Sequence, residues 1–172
     1  RMTYKRKEII GDCTLYLGDC MDVMPALGKF DHIITDPPYE QRLHDSKNSG
    51  NKFRTDGGKE LSGLNFKGID EIRQNIIDLS YPNCNGWFIA FCTIEGVAKW
   101  TDVINESLMK YKRACIWVKP DSTPQLNGQC PAQGAECFVT AWCGERHSKW
   151  NAGGKRGVYT HLTNSQDRQG EH

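Results

Sequence analysis

The sequence predicts an α/β fold in which a mostly parallel sheet is flanked by helices. Four apolar runs with the length of strands occur, at residues 31–35, 86–92, 113–118 and 136–142. Apolar residues at helical spacing precede the second and the third of these runs. Such alternation of strand and helix is typical of parallel sheets with right-handed crossover connections. The length of 172 residues suits one domain with one core.

The composition argues against several classes of protein. A net charge of +1 gives no overall basic signal, so a nucleic-acid-binding surface would have to be local. No stretch approaches the roughly 18 continuous apolar residues of a membrane span. The eight cysteines contain no Cys-x-x-Cys pair. A disulfide framework and a metal site are therefore both weakly supported, and we expect a reduced, cytoplasmic protein without a metal.

The N-terminal part predicts a strand and a short helix. Residues 13–20 predict a strand that a turn at Gly18-Asp19 closes. A helix is expected over residues 21–27, with the acidic side chain of Asp22 in its first turn.

The next strand, at residues 31–35, contains two β-branched isoleucines and is expected to be buried. It ends at Asp36, because Pro37 and Pro38 lack the N–H that a central strand must donate. The Asp36 carboxylate and the Pro37 carbonyl can both accept from an exocyclic amino group, and Tyr39 offers a stacking face. Since α/β sheets bind ligands at the carboxyl ends of strands, we expect a pocket here for an amino-bearing aromatic ring. The alternative is a stiff turn with Tyr39 packed on the surface.

The segment Asp36-Pro37-Pro38-Tyr39 resembles the catalytic motif of the amino-methylating DNA methyltransferases. These enzymes transfer a methyl group from S-adenosylmethionine to N6 of adenine or N4 of cytosine. The resemblance implies a bacterial or phage restriction–modification enzyme that acts on double-stranded DNA with a flipped target base. It makes Asp36, Pro37, Pro38 and Tyr39 the catalytic residues, and the Asp at the head of the motif favours adenine. Methylation of cytosine N4 or of an RNA base remains open, as does a non-catalytic nucleic-acid-binding domain.

The same resemblance suggests a cofactor site. In the family, a Gly-Asp-Cys turn stands shortly before the catalytic strand and borders the adenosine of the cofactor. Gly18-Asp19-Cys20 has this position, which implies that Asp19 and Cys20, together with Asp36, bind S-adenosylmethionine. Asp19 could equally be an ordinary turn residue.

Residues 40–68 are a long polar stretch with six basic and four acidic side chains, a net charge of +2. Loops of this length are uncommon in compact domains unless they have a function. Because this one starts directly after Tyr39, we expect a mobile flap that contacts phosphates through its basic residues. The candidates are Arg42, Lys47, Lys52 and Arg54. A solvated loop is the alternative.

The remaining pattern alternates helices and strands. A helix is expected over residues 69–80, and a second one, marked by Val97, Trp100, Ile104, Leu108 and Tyr111 with Thr93 as N-cap, before the strand at 113–118. In the resembling family, a strand pair like 113–118 and 136–142 closes the sheet, with its loop near the target base. This implies a nucleic-acid contact at Lys119. Residues 145–172 predict an irregular tail that begins a recognition or connecting segment, after a catalytic portion over residues 1–144.

A glycine-rich turn after a strand, which would let backbone approach the methionine part of the cofactor, is missing from the sequence. The resemblance explains this by circular permutation, in which the catalytic motif comes first and the glycine motif near the C-terminus. We therefore expect an incomplete methyltransferase sheet that lacks the cofactor half and is inactive as an isolated 172-residue fragment.

Overall fold

A computed structural model describes residues 4–39, 69–124, 126 and 128–163 of the chain. The described part contains an antiparallel hairpin and a five-stranded sheet. In chain order, the strands are β1 (Arg6–Ile10), β2 (Cys13–Leu17), β3 (Ile33–Thr35), β4 (Trp87–Cys92), β5 (Lys110–Val118), β6 (Ala135–Trp142) and β7 (Val158–Thr160). The helices are α1 (Cys20–Val23), α2 (Ile69–Asn83) and α3 (Gly96–Glu106), and a 3-10 turn at Met24–Ala26 follows α1.

The five strands lie in the order β3-β4-β6-β5-β7. β3 is parallel to β4, β5 is parallel to β7, and β6 is antiparallel to both β4 and β5. Four of the five strands therefore point the same way, and the predicted α/β fold is confirmed. Of the four strand pairings, two are parallel and two are antiparallel. Because β6 runs in reverse between β4 and β5, its first residues lie beside the last residues of both. That placement brings Glu136 to the carboxyl edge of the sheet.

The core lies between one face of the sheet and the helices α2 and α3. Phe88 and Ala90 of β4 and Val139 of β6 are fully buried against Ile77 of α2 and Trp100 of α3. The predicted helix over residues 69–80 is confirmed and continues to Asn83. None of the helices among the described residues is long and apolar enough to cross a membrane.

The prediction that the second helix reaches Tyr111 is wrong. α3 ends at Glu106, where the backbone N–H and the hydroxyl of Ser107 both donate to the carbonyl oxygen of Ile104. Tyr111 instead belongs to β5 and packs against the core from the sheet. A strand residue that faces the core happened to continue the helical spacing of the apolar residues. Sequence periodicity alone cannot separate these two cases.

Three short elements also differ from the sequence predictions. The helix expected over residues 21–27 is interrupted, because α1 stops at Val23 and a 3-10 turn containing Pro25 follows. β1 was not predicted, because its charged residues interrupt the apolar pattern of a strand. The hairpin turn between β1 and β2 uses Gly11 at φ +56°. β7 lies in the tail expected to be irregular, where pairing with β5 makes three residues a strand.

The strand that leads to Asp36 is also less buried than its sequence predicts. β3 pairs only with β4 within the described residues, and Ile34 is 68% exposed. Ile33, on the other face, packs against the core cluster. The expectation of a buried strand is therefore wrong for Ile34 in the described part of the chain.

Candidate active site

The motif Asp36-Pro37-Pro38-Tyr39 lies directly after β3, at the carboxyl edge of the sheet. Pro37 is buried and Pro38 is half-buried, whereas the Asp36 side chain is exposed. Strand pairing stops at Thr35, opposite Ala90 of β4, as expected where proline supplies no N–H. The strand therefore holds the backbone up to Asp36 in place and leaves its carboxylate accessible.

Tyr39 is anchored by a residue 97 positions away in the sequence. Its hydroxyl donates to Oε2 of Glu136, at the start of β6, over 3.1 Å. The Tyr39 side chain is half-buried, so the hydrogen bond restrains the ring while part of it stays accessible. Glu136 was not among the residues that the sequence suggested for the site. The only available signal was its position at the beginning of a strand after a loop.

Glu136 also forms an ion pair with Lys119, which follows β5. The two side chains are only 18% and 15% exposed, so this pair is largely screened from water. The Lys119 ammonium also lies 4.3 Å from the centroid of the Trp117 ring, a cation–π geometry. The structure thus brings the predicted residue Lys119 next to the motif, with its charge balanced by Glu136. A contact between Lys119 and nucleic acid remains a prediction.

The electrostatic surroundings keep Tyr39 protonated. Burial raises the pKa of its phenol, and the facing carboxylates of Glu136 and Asp36 raise that pKa further. Tyr39 therefore acts as a hydrogen-bond donor and an aromatic surface, and it is not a base. Asp36, Glu136 and Lys119 together carry a net charge of −1, which favours positive charge that develops beside them.

The structure gives Asp19 a clear local role. Its carboxylate caps α1 by accepting from the Met21 N–H over 2.9 Å, and its side chain is exposed. Burial and the neighbouring Asp19 carboxylate raise the pKa of the Cys20 thiol, which therefore stays protonated at neutral pH. N-capping uses one carboxylate oxygen of Asp19 and leaves the other available. Cofactor binding by Asp19 and Cys20 remains a prediction.

The predicted basic flap, with Arg42, Lys47, Lys52 and Arg54, lies outside the described residues. The described residues form a different basic surface, on the face of the sheet opposite the helices. There, a cavity of about 490 Å³ opens between the sheet and the segment after β6. Its lining includes the rings of Trp87, Trp150 and Tyr159 and the cations Lys112, Arg113, Lys155 and Arg156.

We call this surface the basic cavity. The segment 149–157 closes it, held to the sheet where the Trp87 ring N–H donates to the Lys149 carbonyl and where Gly157 sits against Cys115. None of its four cations forms an ion pair with another described residue. The sequence did not reveal it, because residues of β5 and of the tail meet only in the folded chain.

No family model and no curated protein matches this chain. Among solved structures, it is similar to a crystal structure of an M1.HpyAVI–SAM complex, with 26% identity over 72% of this chain and 48% of that chain and a TM-score of 0.44. It is also similar to a crystal structure of M1.HpyAVI, with 19% identity over 77% of this chain and 55% of that chain and a TM-score of 0.48. The chain thus spans about half the length of each. Likenesses of this size assign no activity to it.

Proposed function

We propose that this chain is the catalytic portion of a permuted, S-adenosylmethionine-dependent DNA methyltransferase that methylates N6 of adenine. The observation that carries the proposal is the accessible Asp36 carboxylate at the end of β3, beside a Tyr39 ring that Glu136 restrains. An acceptor next to a restrained aromatic face suits a planar base with an exocyclic amino group.

Each residue of the motif has a distinct part in the proposed reaction. The target adenine is flipped out of the duplex, at a cost of a few kcal/mol, and stacks on Tyr39. Asp36 and the Pro37 carbonyl accept from the amino group and orient the lone pair of its nitrogen. Asp36 also stabilises the positive charge that develops on this nitrogen. Transfer is then an in-line displacement that depends on positioning and uses no covalent enzyme intermediate.

The residues described here fit one end of the cofactor. S-adenosylmethionine, when bound, supplies an electrophilic methyl group on a sulfonium. Asp19 keeps one carboxylate oxygen free beyond its helix cap and could accept from the adenine amino group of the cofactor. The sequence contains no glycine-rich turn for the methionine end. Asp19, Cys20 and Asp36 would therefore hold only the adenosine end.

The basic cavity supports a nucleic-acid partner. Four cations without ion-pair partners among the described residues surround aromatic rings, a combination that suits phosphates and bases together. We propose that double-stranded DNA contacts this surface, together with Lys119 and the flap residues Arg42, Lys47, Lys52 and Arg54.

The proposal is tested by incubating DNA and RNA with the complete protein and labelled S-adenosylmethionine, followed by mass spectrometry of the nucleosides. We expect label in N6-methyladenine from DNA. Label in N4-methylcytosine or in an RNA base would overturn the assignment of the target while keeping amino methylation. An absence of methylated nucleosides would overturn the enzymatic proposal and favour a binding domain.

A separate titration addresses the cofactor. Calorimetry of S-adenosylmethionine with the 172-residue chain should show hardly any binding, since the proposed ligands hold only the adenosine end. A version extended by 60–80 residues, about two βαβ-sized units, should bind. Micromolar affinity of the 172-residue chain alone would show that its cofactor site is complete and that the permuted arrangement is wrong.

A further inference from the structure

Two cysteines meet at the edge of the sheet opposite the carboxyl edge that holds Asp36. Cys84 precedes β4 and Cys143 follows β6 directly. The two loops are joined where the Cys143 N–H donates to the Gly86 carbonyl over 2.8 Å. The two cysteines line one cavity, and a side-chain hydrogen bond between them shifts the pKa of each thiol. No disulfide bond is formed among the described residues, and nothing in the proposed methyl transfer uses this pair.

The surroundings of the two sulfur atoms differ. The Cys84 thiol donates to the Trp87 carbonyl oxygen over 3.4 Å, and the Cys143 thiol and the backbone N–H groups of Gly86 and Ile33 lie near its sulfur. The Cys143 thiol in particular, and these N–H groups as well, lower the pKa of Cys84 despite its burial. The pKa of Cys143 is raised, first by its hydrogen bond to Cys84 and then by burial. The pair therefore favours a Cys84 thiolate that is stabilised by a protonated Cys143.

The pair also has access to solvent. Both cysteines line a surface cavity of about 490 Å³. Its charged lining consists of Lys29, Arg146 and Glu145, so two cations face one carboxylate. Cys84 itself is 4% exposed, and the cavity is therefore the route to its sulfur. A small anionic reagent is favoured over a neutral or cationic one by the excess positive charge.

We propose that Cys84 and Cys143 form a reactive dithiol that a small anionic disulfide, of the class of oxidised glutathione, converts into an intramolecular disulfide. The Cys84 thiolate attacks one sulfur of the reagent, breaks its S–S bond and releases one glutathione thiolate. Cys143 then loses its proton and attacks the Cys84 sulfur, which releases the second glutathione thiolate. The protein loses two electrons and two protons, and the reagent is reduced to two molecules of glutathione.

The test exposes the folded protein to oxidised glutathione, traps the remaining thiols with N-ethylmaleimide and maps the peptides by mass spectrometry. We expect the Cys84–Cys143 cross-linked peptide to form at least tenfold faster than a glutathione adduct on Cys13. Cys13 is an exposed reference in the same molecule. In urea this preference should disappear, because the hydrogen bonds around Cys84 are lost. Formation of the Cys13 adduct first, or of no 84–143 peptide, would overturn the proposal.

Two variants distinguish the attack by Cys84 on the reagent from the later attack by Cys143 on Cys84. Cys143→Ser lacks the resolving thiol, so the mixed disulfide should accumulate on Cys84 as a stable adduct of one glutathione. Cys13→Ser is the matched control and should leave the rate of 84–143 cross-linking unchanged. If Cys143→Ser yields no adduct on Cys84, then Cys84 is not the attacking group and the mechanism is wrong. Even if a variant folds poorly, the wild-type peptide map still shows whether the Cys84–Cys143 disulfide forms faster than the glutathione adduct on Cys13.

Discussion

Glu136→Ala tests whether the anchoring of Tyr39 stabilises the protein. The substitution removes the acceptor of the Tyr39 hydroxyl and the ion-pair partner of Lys119 in one step. Lys119 would keep its contact with the Trp117 ring and would remain a largely buried cation without its carboxylate. Loss of stability is therefore expected even though only one side chain is shortened.

The expected loss of stability follows from the burial of the Lys119–Glu136 ion pair. Breaking a fully buried ion pair costs about 3–5 kcal/mol, whereas an exposed pair contributes about 1 kcal/mol or less. The Lys119 and Glu136 side chains are 15% and 18% exposed, which places them between these limits. Together with the lost hydrogen bond, we expect about 2–3 kcal/mol. For a protein of this size, this lowers Tm by about 4–12 °C.

Thermal unfolding followed by circular dichroism measures this effect. Glu106→Ala is the matched control, because Glu106 is exposed at the end of α3, and its Tm should stay within about 2 °C of wild type. Glu136→Gln keeps an acceptor for Tyr39 but loses the charge, so its Tm should fall between those of wild type and Glu136→Ala. If Glu136→Ala melts like the Glu106→Ala control, the Tyr39–Glu136–Lys119 contact contributes nothing and the reasoning is refuted.

Four further predictions follow from the site and its supports. Asp36→Asn should lower methyl transfer by the complete enzyme by a factor on the order of 10² with DNA affinity little changed, and kcat within a few-fold of wild type would contradict the role of Asp36. Tyr39→Phe should keep most activity, whereas Tyr39→Ala should lose about 1–3 kcal/mol of base stacking, which 2-aminopurine fluorescence at the target position reports; equal damage by both would exclude stacking. Because the pKa of Tyr39 is raised, the contribution of its protonated phenol to folding stability is fully present below pH about 10 and declines as the pH rises further. Denaturant titrations of wild type from pH 8 to 11 should show this decline in the free energy of unfolding, and Tyr39→Phe should lack the part that comes from Tyr39. Gly86→Ala would place a Cβ 2.5 Å from the Asp31 carbonyl oxygen and should destabilise the protein by about 1–3 kcal/mol, whereas Gly154→Ala, with open space around it, should not.

Sequence reasoning failed where a local pattern was compatible with two structures. The apolar spacing through Tyr111 predicted a longer helix than the structure has, because the helix ends before Ser107. The charged residues of β1 gave no strand pattern, although the segment is a strand. β7 has only three residues and exists because β5 offers it an edge. In each case a tertiary contact or a local cap outweighed the periodicity.

The sequence alone determined the α/β alternation and the position of Asp36-Pro37-Pro38-Tyr39 at the end of a strand. These features are local, because side-chain periodicity and the missing N–H groups of proline act over a few residues. Only the tertiary structure decided that β6 runs antiparallel between β4 and β5. That arrangement carries Glu136 to Tyr39 across 97 residues of sequence and sets Cys143 beside Cys84 at the opposite edge of the sheet. Such pairs depend on strand order and direction, which no short sequence pattern encodes.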